Sequence, residues 1–214
     1  MNPKNGFFVT GTDTDIGKTI VSGILVNKFN ANYWKPIQCG KNKENLSDSE
    51  VVKKLINGSS QKIFKESYYF LEPISPNLAA NINKIKISIK LLLNNFNKLE
   101  KPIIVEGAGG VLVPINNKEF MIDVMNAFQL PIILVARTSL GTINHTLLTI
   151  NLIKMKKQTI HGIIFVGDEN YQVEKTILSF SQKIKKNIKN LGRIPIIKKI
   201  NRINIDKLER FLNF

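Results

Sequence analysis

Lys18 and Thr19 stand directly behind Gly17 in the run Gly11-Thr-Asp-Thr-Asp-Ile-Gly17-Lys18-Thr19, and their types and spacing suit work on phosphate. A glycine turn entered by an apolar strand and left by a helix aims backbone N–H groups and a helix N-terminus at an anion. Here Phe7-Phe8-Val9-Thr10 supplies the strand, and Ile16 to Phe29 supplies the helix, with Ile20, Ile24 and Leu25 on one face. Lys18 is then expected to reach β- and γ-phosphate oxygens, and the Thr19 hydroxyl to hold Mg²⁺. The strict pattern G-x-x-x-x-G-K-[ST] wants its first glycine where Thr12 stands; Gly11 lies one residue earlier. The strand-loop-helix context therefore carries the reading, against the alternative of a glycine turn that caps an ordinary helix.

Magnesium takes hard oxygen ligands and keeps water and phosphate among them, so a few carboxylates suffice. Glu106 follows the apolar run Ile103-Ile104-Val105 and opens Glu106-Gly-Ala-Gly-Gly110, whose glycines let backbone approach a ligand. It fits a metal ligand near Thr19, or more plainly a helix cap or surface turn. Asp48, in Ser47-Asp48-Ser49-Glu50, fits a helix N-cap or a further Mg²⁺ ligand. Lys35 ends a short aromatic strand, Tyr33-Trp34; it is either solvated or placed to steady charge on a transferring phosphoryl group. Asp13 and Asp15 would repel a triphosphate, so they are expected to face an amine, a base or solvent. His145 and His161 have no partners at zinc-ligand spacing, and no Ser/His/Asp triad stands out.

These residues need a rigid frame. Short apolar runs bounded by turn signals recur along the chain: Ile103-Ile104-Val105, Ile132-Ile133-Leu134-Val135 after Pro131, Ile163-Ile164-Phe165-Val166 after Gly162, and Ile196-Ile197 after Pro195. Continuous apolar runs suit strands covered on both faces, as in a parallel sheet. Between them the spacing of Ile85, Ile89, Leu92, Phe96 and Leu99 predicts one helix, and Leu148, Leu152 and Met155 mark the buried face of another. Alternating strands and helices predict an α/β fold: a doubly wound, mainly parallel sheet flanked by helices, of the P-loop NTPase type. Ligands of such sheets lie beyond the carboxyl ends of the strands, where the polar motifs fall.

Composition limits the remaining classes. A chain of 214 residues with 43% hydrophobic and 22% charged residues suits one folded domain over 1–214. The formal net charge is +15, but lysine is spread along the chain with Asn and Ile. The densest basic runs, Lys183-Ile-Lys-Lys186 and Lys198-Lys199, have no interleaved aromatics, so neither a nucleic-acid groove nor a membrane patch is expected. No apolar run approaches the roughly 20 residues that span a bilayer, and the start shows no signal-peptide core. The lone cysteine, Cys39, has no internal disulfide partner, which suits a reducing cytoplasm.

Taken in order, the motifs resemble one family, the dethiobiotin synthetases, ATP-dependent cyclising ligases of biotin biosynthesis. The resemblance covers almost the whole chain: GTDTDIGKT at the loop, KPIQCG at 35–40, SDSE at 47–50, SPNLAA at 75–80, VEGAGG at 105–110, LGTINHTLLT at 140–149, HGIIFVGDEN at 161–170 and GRIPII at 192–197. It implies a reaction of 7,8-diaminopelargonate, CO₂ and Mg-ATP through a carbamate and a mixed carbamic-phosphoric anhydride. It also implies Lys35 and Lys18 as the catalytic lysines, with Thr19, Asp48 and Glu106 around Mg²⁺. Asp15, Ile16, Gly17, Lys18, Thr19 and Ile20, then Asp48, Glu106, Gly107, Ala108 and Gly109, and finally Val166, Gly167, Ile194, Pro195 and Ile196 fall where the family binds ATP. Thr12, Lys35, Cys39, Gly141 and Asn144 fall where it binds the diamine, the last two across a homodimer interface.

Three positions depart from the family. Val166 stands where Asn is usual and cannot hydrogen-bond a base through its side chain. Base selection is then left to main-chain groups near Pro195-Ile196, or relaxed. Cys39 replaces a small hydroxyl residue, and a thiol is the poorer donor. Asn77 stands where His is common. Two other readings share the loop logic. A ParA/MinD-like switch ATPase usually has another lysine near the loop's start, and Gly11-Thr12-Asp13 has none; the C-terminal run from Asp206 is too short and mixed for a membrane anchor. The synthetase half of a cobyrinate-type amidotransferase would need a glutaminase domain for which this length has no room.

Overall fold

A strand that is apolar at every position is stable only where helices cover both its faces. The chain meets that condition with a seven-stranded sheet, described in a computed structural model over residues 4–56, 60–196 and 202–214. In chain order the elements are β1 (Gly6–Gly11), α1 (Lys18–Phe29), β2 (Asn32–Trp34), β3 (Ile37–Cys39), α2 (Asp48–Leu55), β4 (Ile63–Phe64), β5 (Tyr68–Phe70), α3 (Pro76–Ile82), α4 (Ile89–Lys98), β6 (Ile103–Gly110), α5 (Met121–Phe128), β7 (Ile132–Arg137), α6 (Thr142–Met155), β8 (Ile160–Val166), α7 (Tyr171–Ile184), β9 (Lys189–Ile194) and α8 (Arg202–Glu209). The sheet order is β4-β2-β6-β1-β7-β8-β9, and every pairing in it is parallel. β3 and β5 form a separate parallel pair.

Alternation along each strand divides the core in two. Phe7, Val9, Tyr33, Ile104, Ile133 and Ile164 pack against α1, α2 and α8. Phe8, Trp34, Ile103, Val105, Leu134 and Phe165 pack against α4, α5, α6 and α7. The doubly wound α/β reading is therefore the observed fold. β1 lies between β6 and β7, so the loop after it opens at the carboxyl ends of all three.

Several boundaries differ from the sequence expectation, each for a local reason. α1 begins at Lys18 rather than Ile16, because Gly17 takes φ 93°, which no helix interior allows. Its packing is not one-sided: Val21 through Val26 are all buried between the sheet and the outer helices. α4 begins at Ile89, not Ile85, since the Ser88 side chain accepts from the Leu91 amide and caps the helix. The Ile85 amide instead closes α3 on the Ala80 carbonyl, and Ile85 faces solvent while Ile87 is buried.

On α6 the buried residues are Thr142, Thr146, Thr149, Ile150 and Ile153, so Leu148 and Met155 point outward, opposite to expectation. The last strand precedes Pro195 instead of following it. Proline has no N–H for the ladder, and β9 ends at Ile194. Ile197 and the basic run Lys198-Lys199 lie outside the described residues.

Candidate active site

The period of two places the charged residues. Tyr33 on β2 faces Ile104 on β6 in register, and both point to the α1 side of the sheet. Two residues further along, Lys35 and Glu106 come to the same side at the strands' carboxyl ends. The Thr19 hydroxyl, in the first turn of α1, donates to Glu106 Oε1 at 2.9 Å. Lys35 Nζ donates to the same oxygen at 3.1 Å and pairs also with Asp48 Oδ2. The Tyr33 hydroxyl donates to the other oxygen, Glu106 Oε2, at 2.9 Å.

Asp48 is held by the start of α2. Ser47, not Asp48, is the N-cap: its side chain accepts from the Glu50 amide while Glu50 reaches back to the Ser47 amide. That capping box leaves the Asp48 carboxylate free to reach Lys35. Gln38 Oε1 adds a bond from the Asp48 amide at 3.3 Å.

Burial makes these charges interdependent. Glu106 is 1% exposed and Lys35 5%, and unpaired charges so enclosed would be costly. Burial alone would lower the Lys35 pKa, but Glu106 and Asp48 outweigh it and raise the value above its ordinary range. Lys35 thus stays an ammonium. Lys18 lacks such a partner: burial first, then the Lys35 charge, lowers its pKa to about 8. Its Nζ donates to the Asp13 carbonyl at 2.6 Å, folded back onto its own loop. Burial also pushes the Tyr33 phenol well up, helped by Glu106, and it pushes the Cys39 thiol up to about 11 against the pull of Lys35.

Two cavities open over this cluster. One of about 720 Å³ runs from the loop past Lys18, Thr19, Lys35, Asp48 and Glu106 to Gln38, Cys39, Gly40 and Pro76. The other, about 530 Å³, lies between the carboxyl ends of β7, β8 and β9, with Arg137, Thr138, Ser139, Val166, Gly167, Asn170, Ile194, Pro195 and Ile196. They share Asp15, Ile16, Gly17 and Ile20. A Cβ added at Gly17 would lie 3.0 Å from Val166 Cγ1, so this glycine keeps the passage between them open. Arg137 holds the loop from below, donating to the carbonyls of Thr14 and Asp15 at 3.0 and 3.2 Å.

Most sequence-expected residues therefore meet at one place. Ala108 and Gly109 line the larger cavity, whereas Gly107 is packed on Phe8 beneath it. Thr12 lines neither cavity, its amide bonded to the Val135 carbonyl. Gly141 and Asn144 stand apart as well, both exposed at the start of α6. The sequence reading missed Tyr33 as a polar group, Gln38, and the trio Arg137, Thr138 and Ser139; the last three follow β7, and their position at a strand's carboxyl end was the available signal.

Thr19, Asp48 and Glu106 offer hard oxygens to the same cavity, a donor chemistry that fits a small divalent cation. Among the described residues no three or more His, Cys, Asp or Glu side chains form a metal-holding group of their own. That donor set suits magnesium, which fills its remaining positions with water and phosphate.

Known proteins align with this arrangement. A family model described as an AAA domain matches residues 5–204. In fold the chain is similar to a ParA family ATPase from Chlorobium tepidum, with TM-score 0.58 and 12% identity over 98% of this chain and 97% of that one. It is similar also to a chain of the MinC:MinD cell division protein complex of Aquifex aeolicus, with TM-score 0.56 and 11% identity over 97% and 91%. Identities so low speak for the fold alone. The sequence relatives say more. An ATP-dependent dethiobiotin synthetase of Brucella anthropi is 40% identical over 195 residues, 91% of this chain and 88% of that protein. Those of Agrobacterium fabrum and Rhodopseudomonas palustris are 38% and 39% identical over 88% and 90% of the chain, and 85% and 87% of their own lengths. The chain belongs to the ATP-dependent dethiobiotin synthetase family.

Proposed function

We propose that the protein closes a ureido ring on 7,8-diaminopelargonate, using CO₂ and ATP, and releases dethiobiotin, ADP and phosphate. One substrate amine and CO₂ give a carbamate and a proton. A carbamate oxygen attacks the γ-phosphorus and ADP leaves. The second amine then attacks the carbamoyl carbon and gives up a proton, and phosphate departs as the ring closes. The observation that carries this reading is Lys35. Its Nζ is paired with two carboxylates where the phosphate loop meets a chamber large enough for a second, small substrate.

The chain's own contribution is position and charge. Lys35 neutralises carbamate and transferring phosphoryl oxygens; with its pKa raised it serves as a charge and not as a base. Lys18, once off the Asp13 carbonyl, lies within reach of the β- and γ-phosphates. Backbone amides of Gly17 to Ile20 meet the phosphate chain at the N-terminus of α1. Thr19, Asp48 and Glu106 would hold Mg²⁺, which supplies positive charge against the developing phosphate charge. The diamine takes the chamber by Cys39, where the thiol, protonated at neutral pH, contributes shape more than charge.

A homodimer completes the site. Gly141 and Asn144 lie outside both cavities of their own chain, so their contact with the substrate's carboxylate end has to be made across to a second copy. Leu148 and Met155, one helical repeat of seven apart on α6, are 61% and 70% exposed and give that contact its apolar face. The free Cys39 suits an enzyme of a reducing cytoplasm; no helix among the described residues is long and apolar enough to cross a membrane.

The test is phosphate release with ATP, Mg²⁺, bicarbonate and the diamine, with the product's mass measured. Release that requires the diamine, and a product of dethiobiotin mass, is expected. Release at the same rate without diamine would instead make the protein a simple ATPase of the switch type.

A further inference from the structure

Tyr33 is fully buried in the core between the sheet and α1, where a phenylalanine would fill the same space without a polar atom to satisfy. Its hydroxyl is out of reach of bulk solvent and donates to Glu106 Oε2 at 2.9 Å. Trp34, the next residue, points to the opposite face and bonds the Lys65 carbonyl, so it has no part in the site. The two oxygens of Glu106 are thus divided. Oε1 faces Thr19 and Lys35, at 2.9 and 3.1 Å, toward the phosphate cavity; Oε2 is tied back into the core. A carboxylate bonded at only one oxygen can rotate about its terminal torsion, which is broad and soft. Bonded at both, it is fixed in plane.

We propose that Tyr33 is a positioning residue for the metal–nucleotide complex: its hydroxyl locks the Glu106 carboxylate so that Oε1 faces Thr19 before any cation arrives. The inference rests on the reading of Glu106 as a magnesium ligand. Partners that orient a metal-binding carboxylate are worth about 10–100-fold in metal affinity when removed.

The experiment compares wild type with Tyr33→Phe, Glu106→Gln and the packing control Ile104→Val. Manganese serves as the probe, read by electron paramagnetic resonance in the presence of a non-hydrolysable ATP analogue. Calorimetric titration of that analogue in EDTA gives the metal-free affinity. Tyr33→Phe is expected to weaken manganese binding about 10–100-fold, with the metal-free affinity kept within about twofold. Ile104→Val is expected to leave both unchanged. Manganese affinity in Tyr33→Phe within about twofold of wild type would overturn the proposal. If Glu106→Gln loses the metal while Tyr33→Phe does not, this inference alone fails. If wild type and Glu106→Gln bind manganese alike, the magnesium reading fails and takes the inference with it.

Should Tyr33→Phe not fold, the wild-type protein labelled with ¹³C at tyrosine Cζ supplies the readout. Its resonances are assigned by Tyr68→Phe, Tyr69→Phe and Tyr171→Phe. A Tyr33 shift on adding Mg²⁺ to the analogue complex is expected; an unmoved resonance would overturn the proposal.

Discussion

Lys35 sits between Asp48 and Glu106 with almost no access to water. Its removal acts on two properties at once. Lys35→Ala leaves two carboxylates facing each other, one of them buried, and breaking a buried ion pair costs on the order of 3–5 kcal/mol. If Lys35 acts as proposed, the same change removes a positive charge from the reaction and is expected to lower turnover by roughly 10²–10³. Urea unfolding and steady-state rates measure the two effects separately; full activity in Lys35→Ala would remove that residue from the mechanism. Lys18→Ala is expected to lose turnover on the same scale, but not the stability, because Lys18 is bonded to a backbone carbonyl and not to a carboxylate. These roles were half legible in the sequence. Glu106 and Thr19 could be placed by the strand and loop that carry them. Asp48 could not be told from an N-cap, because the choice depends on Ser47 taking the cap and on a fold contact, Lys35, thirteen residues away.

Among the elements, those buried on both faces were the easiest to read. β1, β6, β7 and β8 each carry a continuous apolar run, so each was found near its observed place. Helices were harder. On α6 the core-facing side is largely threonine, with Thr142 donating to the Arg137 carbonyl and Thr149 to the His145 carbonyl, while Leu148 and Met155 face out. Of the three residues the hydrophobic pattern selected, only Leu152 packs against the core. The ends of β8 and β9 carry a functional consequence of the same kind. Val166 offers the base no hydrogen bond, the Gly167 amide is spent on the Ile194 carbonyl, and Asn170 caps α7 while reaching the Thr138 carbonyl. With these groups occupied, weak discrimination among bases is the expected outcome. Turnover with ATP, GTP and CTP is expected to differ by well under the roughly thousandfold that a dedicated hydrogen-bonding site achieves; a thousandfold preference for ATP would contradict this.

For the whole molecule, the outward face of α6 is one apolar surface that a monomer leaves uncovered. Leu140, Leu148 and Met155 are exposed beside Gly141 and Asn144, the residues proposed to complete a neighbour's site. Leu148→Asp with Met155→Asp is expected to shift the protein from dimer to monomer in light scattering, and to raise the KM for the diamine more than that for ATP. An unchanged dimer with unchanged KM would place the interface elsewhere.

The ring-closing chemistry itself has a direct signature in the oxygen of the released phosphate. If a carbamate oxygen attacks the γ-phosphorus, and the second amine then expels phosphate, one oxygen of CO₂ leaves in that phosphate. With ¹⁸O-labelled bicarbonate in a single turnover, run faster than exchange with water, mass spectrometry is predicted to find one ¹⁸O per phosphate released with dethiobiotin. Phosphate without label would show that water, and not the carbamate, takes the phosphoryl group, and would contradict the account.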